Sequence, residues 1–189
     1  MLEETYTQNT LFDAMGRMVR HENWHLDDRT PAIYTPKYNE RGLLVGEKLT
    51  VRGVETEAIT NIEHDAKGQR TRIEYGNGTT TRYLYDEKTF RLTQLRTTKT
   101  SPGDNRRTAP SNLTNPNVQQ NLYYHYDPVG NITEILDDAY EPVFFNNQQV
   151  EARSHYRYDA LYRLIEARGR ESATTPPNTP QGGKLADFP

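Results

Sequence analysis

Polar and apolar positions alternate with a period of two through much of this chain, and short clusters of aspartate, asparagine and glycine interrupt the alternation. Leu122-Tyr123-Tyr124-His125-Tyr126 runs into Asp127-Pro128-Val129-Gly130-Asn131, and Ile132-Thr133-Glu134-Ile135-Leu136 runs out of it. A period of two puts successive side chains on opposite faces of a strand, so two such runs around a glycine-bearing cluster read as a hairpin. Arg70–Tyr75, Gly76-Asn77-Gly78 and Thr79–Tyr85 read as a second hairpin with an Asn-Gly turn. No long amphipathic helix stands out. Residues 160–168, with Leu161, Leu164 and Ile165, could make a turn or two of helix. The pattern predicts an all-β chain of consecutive antiparallel hairpins.

The interrupting cluster is itself a repeated phrase: an aromatic residue, an aspartate, two residues, a glycine, then a polar or basic residue. Its clearest copy is Tyr126-Asp127-Pro128-Val129-Gly130-Asn131. Looser copies begin at Phe12-Asp13 with Gly16, at Tyr38-Asn39 with Gly42, and at His64-Asp65 with Gly68. Two more, Tyr85-Asp86 and Tyr158-Asp159, keep the aromatic and the acid but lose the glycine. Repetition on this scale means one small unit used many times. An aspartate at the first position of a turn accepts backbone N–H groups with its side chain, and Pro128 presets φ at the next position. Glycine three residues after the aspartate takes the left-handed conformation that closes a three-residue hairpin loop. Asp13, Asn39 and Asp65 are spaced 26 residues apart, and Asp86 follows after 21.

This phrase resembles the YD repeat of the Rhs family, which includes bacterial Rhs polymorphic toxins, the B and C subunits of insecticidal toxin complexes, and the teneurins. The likeness covers roughly residues 6–171 and is closest over 121–170. There the clearest copy is followed by Phe144-Phe145-Asn146-Asn147-Gln148 and Tyr156-Arg157-Tyr158-Asp159-Ala160-Leu161-Tyr162-Arg163-Leu164-Ile165, a succession similar to the toxin-complex branch. The resemblance implies a curved sheet forming part of a spiral shell that encloses a toxin polypeptide for delivery. Its expected partners are the remainder of a larger shell, the enclosed toxin segment and other toxin-complex subunits. It further implies a bacterial origin, export with the assembly, and no catalysis by the wall itself. Family members run far longer, so the chain is expected to be a fragment or remnant of a larger shell. The aspartates that such proteins use for self-cleavage have no counterpart here. The alternative is a YD-repeat surface module that binds glycans or a cell-surface receptor.

Only 33% of the residues are hydrophobic, a composition that by itself leans toward disorder. Thirteen tyrosines argue the other way, because an aromatic ring buries a large area while its hydroxyl still finds a partner. A net charge of −3 implies neither a nucleic-acid nor a membrane-binding surface. The absence of cysteine excludes disulfides and thiolate chemistry. No apolar run is long enough to span a membrane, and the first residues lack a signal-peptide layout. The expected organisation is a repeat block at 1–98, an inserted polar loop at 99–120, a second block at 121–171 and a Pro/Gly-rich flexible tail at 172–189. A further excursion is expected within 141–150, opening at Pro142.

No residue is assigned to catalysis, a cofactor or a metal. His21 and His25 have a spacing that would suit a metal on a helix, but 18–25 reads as strand and turn. His125 or His155 with Asp127 or Asp159 could be imagined in a hydrolytic triad, yet no nucleophile elbow accompanies them. Arg70, Arg72, Arg82, Arg91 and Arg96 are expected to pair across strands with Glu63, Glu74, Asp86 and Glu87; the alternative is that they share one face of a sheet and line a charged cavity wall. The residues singled out are those of the turn phrase, in a structural role: Phe12, Asp13, Gly16, Tyr38, Asn39, Gly42, Asp65, Gly68, Tyr85, Asp86, Tyr126, Asp127, Gly130, Tyr158 and Asp159.

Overall fold

A computed structural model describes residues 5–26, 29–99, 117–145 and 148–169. Among the described residues there are strands and turns and no helix. The strands are β1 (Tyr6–Phe12), β2 (Met18–Leu26), β3 (Ile33–Tyr38), β4 (Leu44–Val51), β5 (Val54–His64), β6 (Arg70–Tyr75) and β7 (Thr79–Tyr85). They continue with β8 (Leu92–Lys99), β9 (Val118–Tyr126), β10 (Ile132–Asp137), β11 (Val143–Phe145), β12 (Gln148–Val150), β13 (Arg153–Tyr158) and β14 (Leu164–Arg168). Twelve strands follow one another in the order β1 to β10, β13, β14, an antiparallel sheet not closed into a barrel. The remaining pair, β11 and β12, forms its own two-stranded ribbon between β10 and β13, where the excursion at 141–150 was expected.

The hairpin β6–β7 has the strand limits its alternation predicts. Its turn differs in kind. Of Asn77 and Gly78 only the glycine has positive φ, at 81°, so this is a three-residue loop closed by a left-handed glycine rather than a two-residue Asn-Gly turn. The two-residue version occurs at β4–β5, where Arg52 (φ 52°) and Gly53 (φ 78°) are both left-handed. Residues 164–168 form a strand, the reading the family resemblance favours over a turn or two of helix. The expected loop at 99–120 lies mostly outside the described residues, with its two ends in β8 and β9; the tail at 172–189 lies wholly outside them.

The chain divides into two compact units, Met1–Asn121 and Leu122–Pro189. In the first, register sets Ile62 opposite Ile73, Ile73 opposite Thr81, and Thr81 opposite Thr97. Ile62 and Ile73 are each 3% exposed and Thr81 is 4% exposed. These three hold the centre of a thin core, since a single sheet layer has no second layer to cover it. Tyr75, Tyr83 and Leu95 lie on the same face, while Glu63, Arg72, Arg82 and Arg96 line up across the other. In the second unit, Tyr124 opposes Ile135, and Tyr156 opposes Ala167. The face opposite carries charge, with Glu134 between His125 and His155, and Arg157 against Glu166.

Ile73→Ala is therefore expected to destabilise the chain by about 2–4 kcal/mol, and Leu84→Ala, at a 56% exposed position, by less than about 0.5 kcal/mol. Urea midpoints compare the two. Gly76 has ordinary φ, but a Cβ there would lie 1.7 Å from the Glu57 carbonyl oxygen. Gly76→Ala should lower the midpoint more than Leu84→Ala does, and equal midpoints would contradict this close approach.

Candidate functional site

The residues singled out in the sequence fall at six turns, β1–β2, β3–β4, β5–β6, β7–β8, β9–β10 and β13–β14, with the aromatic residue ending the strand before the turn. Consecutive hairpins in an antiparallel sheet place alternate loops on the same side. The first four turns therefore share one border of the first unit, and the last two share one border of the second.

Each turn is closed by its leading aspartate or asparagine. In the first, Asp13 Oδ1 accepts the Met15 and Arg17 N–H groups at 2.9 Å each, and Oδ2 accepts Arg17 Nε at 2.7 Å. Asn39 Oδ1 accepts the Arg41 and Leu43 N–H groups at 3.0 Å each. Asp65 Oδ1 accepts those of Lys67 and Gln69 at 2.8 and 2.9 Å, and Asp159 Oδ1 those of Leu161 and Arg163 at 2.8 and 2.9 Å. Asp127 holds the Gly130 and Asn131 N–H groups, at 2.7 and 2.8 Å, and the Asn131 side chain. Asn39 makes the same two bonds as Asp13, Asp65 and Asp159, so a neutral acceptor oxygen suffices to close the turn.

The left-handed position falls to Gly16, Gly42, Gly68 and Gly130 in the four copies that have the glycine. In the other two an aromatic residue takes it. Tyr162 has φ 62° and Phe90 has φ 59°, in a loop one residue longer where the Asp86 N–H reaches the Arg91 carbonyl. A side chain larger than hydrogen costs roughly 1–2 kcal/mol in this conformation.

The aromatic half of the phrase reaches back to the preceding hairpin. The Tyr85 hydroxyl donates to the Arg70 carbonyl at 2.9 Å, and the Tyr158 hydroxyl donates to the Ile132 carbonyl at 3.0 Å. Both acceptors stand five residues after the aspartate of the earlier turn. Adjacent turns also touch. Arg17 lies 5.1 Å over the Tyr38 ring, Arg41 donates to the Asp65 and Ala66 carbonyls at 3.3 and 2.9 Å, and Lys67 packs on the Phe90 ring. Gln69 adds a 2.8 Å bond to the Phe90 carbonyl. Sequence reading found the aspartates and glycines and missed these forward contacts, although the basic residues at 41 and 67 occupy the same place in their phrases.

The remaining candidates are dispersed. His21 Nδ1 is 3.0 Å from Thr10 Oγ1, whereas His25 Nδ1 contacts the Asn23 carbonyl at 2.9 Å. Among the described residues no group of three or more His, Cys, Asp or Glu is placed to hold a metal ion. His125 and His155 flank Glu134 at 3.8 and 3.4 Å rather than Asp127 or Asp159, and Arg153 pairs with the same carboxylate at 2.7 Å. Arg72 pairs across strands with Glu63 at 3.0 Å, as expected, and along its own strand with Glu74. Arg82 departs from that expectation, for its register partners are Arg72 and Arg96. Asp86 spends its carboxylate on Lys88 and Thr89 in its own turn.

The backbone N–H of Arg17 holds the Asp13 carboxyl below its ordinary range, that of Thr89 does so for Asp86, and that of Arg163 for Asp159. At Asp127, desolvation pushes upward and is outweighed by bonds from Asn131 and Gly130. A carboxyl depressed by folding contributes stability that is present above its unfolded pKa and is lost as pH falls through the folded one. Stability should therefore decline below about pH 5. At the alkaline end, burial raises Tyr83 to about 12, and burial with a bond to Glu47 raises Tyr34 to about 12. That contribution is complete below pH 10 and is lost as pH rises toward 12. Urea midpoints across pH check both limbs. Asp65→Asn is expected to cost less than about 0.5 kcal/mol and Asp65→Ala about 1–2 kcal/mol. Tyr162→Gly should stabilise by up to about 1 kcal/mol, and a destabilised Tyr162→Gly would contradict the turn geometry.

No family model matches the chain. It is 34% identical over 171 residues to toxin subunit YenC2 of Yersinia entomophaga, covering 90% of this chain and 16% of that protein. With toxin subunit YenC1 of the same organism it shares 36% over 179 residues, 94% of this chain and 17% of that one. Among solved structures, the TcdB2-TccC3 crystal structure superposes with a TM-score of 0.62 at 35% identity, over 87% of this chain and 7% of the other. The Photorhabdus luminescens Tc holotoxin pore gives 0.62 at 36%, with the same coverage. The chain thus spans about a sixth of the curated relatives it matches. A row of aspartate-led hairpins, shared at this identity across most of its length, places the chain in the Rhs/YD-repeat family, among relatives of the B and C subunits of insecticidal toxin complexes.

Proposed function

We propose that this chain is a stretch of shell wall that encloses a toxin polypeptide for delivery and performs no catalysis. The observation that carries this reading is the order of neighbouring strands, in which the first four turns touch one after the next and Tyr85 and Tyr158 each bond to the hairpin before their own. A sheet that grows only by adding neighbours suits a wall, because its extent is set by repeat number rather than by one core. A container acts by steric exclusion and asks for no nucleophile, metal or cofactor. The aspartates that would be the obvious acid–base groups are instead spent on turn amides.

In this reading 1–98 and 121–171 are repeat blocks of the wall, the stretch between β8 and β9 is a loop inserted between them, and 172–189 is a linker. The partners are the rest of the shell, the toxin segment inside it and further subunits of the toxin complex, and the assembly is exported. Limited proteolysis with mass mapping, on the longest natural chain that contains this segment, tests the proposal. A toxin fragment that becomes cleavable only once the shell is denatured is the expected result. A C-terminal region cut as fast as free peptide, beside a resistant repeat block, would overturn encapsulation and favour a surface-binding module.

A further inference from the structure

Asn77 is the one asparagine in the sequence that is followed by glycine. It sits at the tip of the β6–β7 hairpin, where residues 76–78 are all exposed. Its carboxamide oxygen holds two donors. Oδ1 accepts the Thr79 backbone N–H at 3.0 Å and the Thr79 hydroxyl at 2.7 Å. The Gly78 N–H closes the turn by donating to the Tyr75 carbonyl at 3.0 Å. Asn39 offers a comparison within the same chain: its Oδ1 also accepts two backbone N–H groups, but Glu40 follows it and no hydroxyl reaches it.

From this we propose that Asn77-Gly78 is a self-modification site, at which the Gly78 nitrogen attacks the Asn77 carboxamide and Thr79 stabilises the oxygen that becomes charged. The turn bond to Tyr75 opens first, as exposed bonds at a hairpin tip do. Hydroxide or buffer base takes the Gly78 amide proton, the N–Cγ bond forms, and the carbonyl electron pair moves onto Oδ1. That oxygen already lies within 2.7–3.0 Å of two donors, the distances of an oxyanion hole. When the intermediate collapses the Cγ–Nδ2 bond breaks, Nδ2 takes up a proton, and ammonia leaves a cyclic imide. Water then opens the imide at either carbonyl, giving aspartate at position 77 or isoaspartate there. Glycine at 78 matters because it has no Cβ to shield the attacking nitrogen. The aspartate product keeps the loop length and the acceptor oxygen. The isoaspartate product puts an extra carbon into the main chain between β6 and β7, whose register sets buried Ile73 opposite buried Thr81. The site lies outside the six phrase turns, and the inference does not depend on the wall reading.

Ageing the full 189-residue chain at mildly alkaline pH tests the assignment, with peptide mapping by mass spectrometry and labelling by isoaspartyl methyltransferase as readouts. Conversion is expected at Asn77 ahead of Asn39, faster as pH rises, with isoaspartate among the products. Thr79→Val keeps the backbone donor and removes the hydroxyl, so it should slow conversion several-fold. The effect should fall short of the roughly hundred-fold or more that one such donor supplies in a water-excluded enzyme site, because water replaces it at an exposed turn. Asn77→Gln should abolish labelling at this position, with circular dichroism reporting the fold of each variant. An Asn77 that stays intact in the folded chain and converts only after unfolding in urea would overturn the proposal. Equal rates at Asn77 and Asn39 would overturn it too, as would Thr79→Val converting at the parental rate or faster.

Discussion

One side-chain oxygen accepting two backbone N–H groups within its own turn is the interaction on which the rest of this structure depends. It recurs at Asp13, Asn39, Asp65, Asp86, Asp127 and Asp159. The bond fixes the length of the loop, and loop length fixes the register of the two strands that leave it. Register in turn decides which face receives Ile62, Ile73 and Tyr83 and which receives Arg72 and Arg82. A one-residue slip would exchange the faces, and a sheet with so thin a core has little else to resist it.

The tyrosine beside the aspartate turns a local device into a cooperative one. Tyr85 and Tyr158 each tie a hairpin to the main chain of the hairpin before it, and Arg41 and Lys67 tie turns forward. Stability then resides in contacts between neighbours rather than in a central core, as in other repeat proteins. This explains how a chain so poor in hydrophobic residues holds an extended sheet. It also explains why many large apolar side chains, among them Met15, Trp24 and Leu161, remain exposed without disrupting it.

How much of this was legible in the sequence follows from how local each cause is. Asp127 and Gly130 announce their turn because the chemistry is confined to five residues. Arg52-Gly53 does not, since an arginine in the left-handed conformation runs against the usual turn preferences, and only the pairing of Val51 with Val54 forces it. Phe90 and Tyr162 hide for the same reason: the rest of the phrase closes the loop and an aromatic residue is held where glycine was expected. The row Arg72, Arg82, Arg96 depends on the register of three strands, so a shared arginine face was legible only as the lesser alternative to cross-strand pairing. The hydrogen bonds from Tyr85 and Tyr158 span 15 and 26 residues, so their donors were visible while their acceptors were not.

The chain is similar to toxin-complex subunits over most of its length, and its repeat explains how the sheet extends: it grows by neighbour addition and each unit carries its own register. Amide hydrogen exchange of the full chain, resolved to single residues, tests the central claim most directly. The N–H groups of Arg17, Leu43, Gln69, Asn131 and Arg163, all accepted by a turn side chain, should exchange as slowly as those of the adjoining strands. Exchange at these five positions at free-peptide rates, while the strands stay protected, would show that the turns follow the sheet rather than define it.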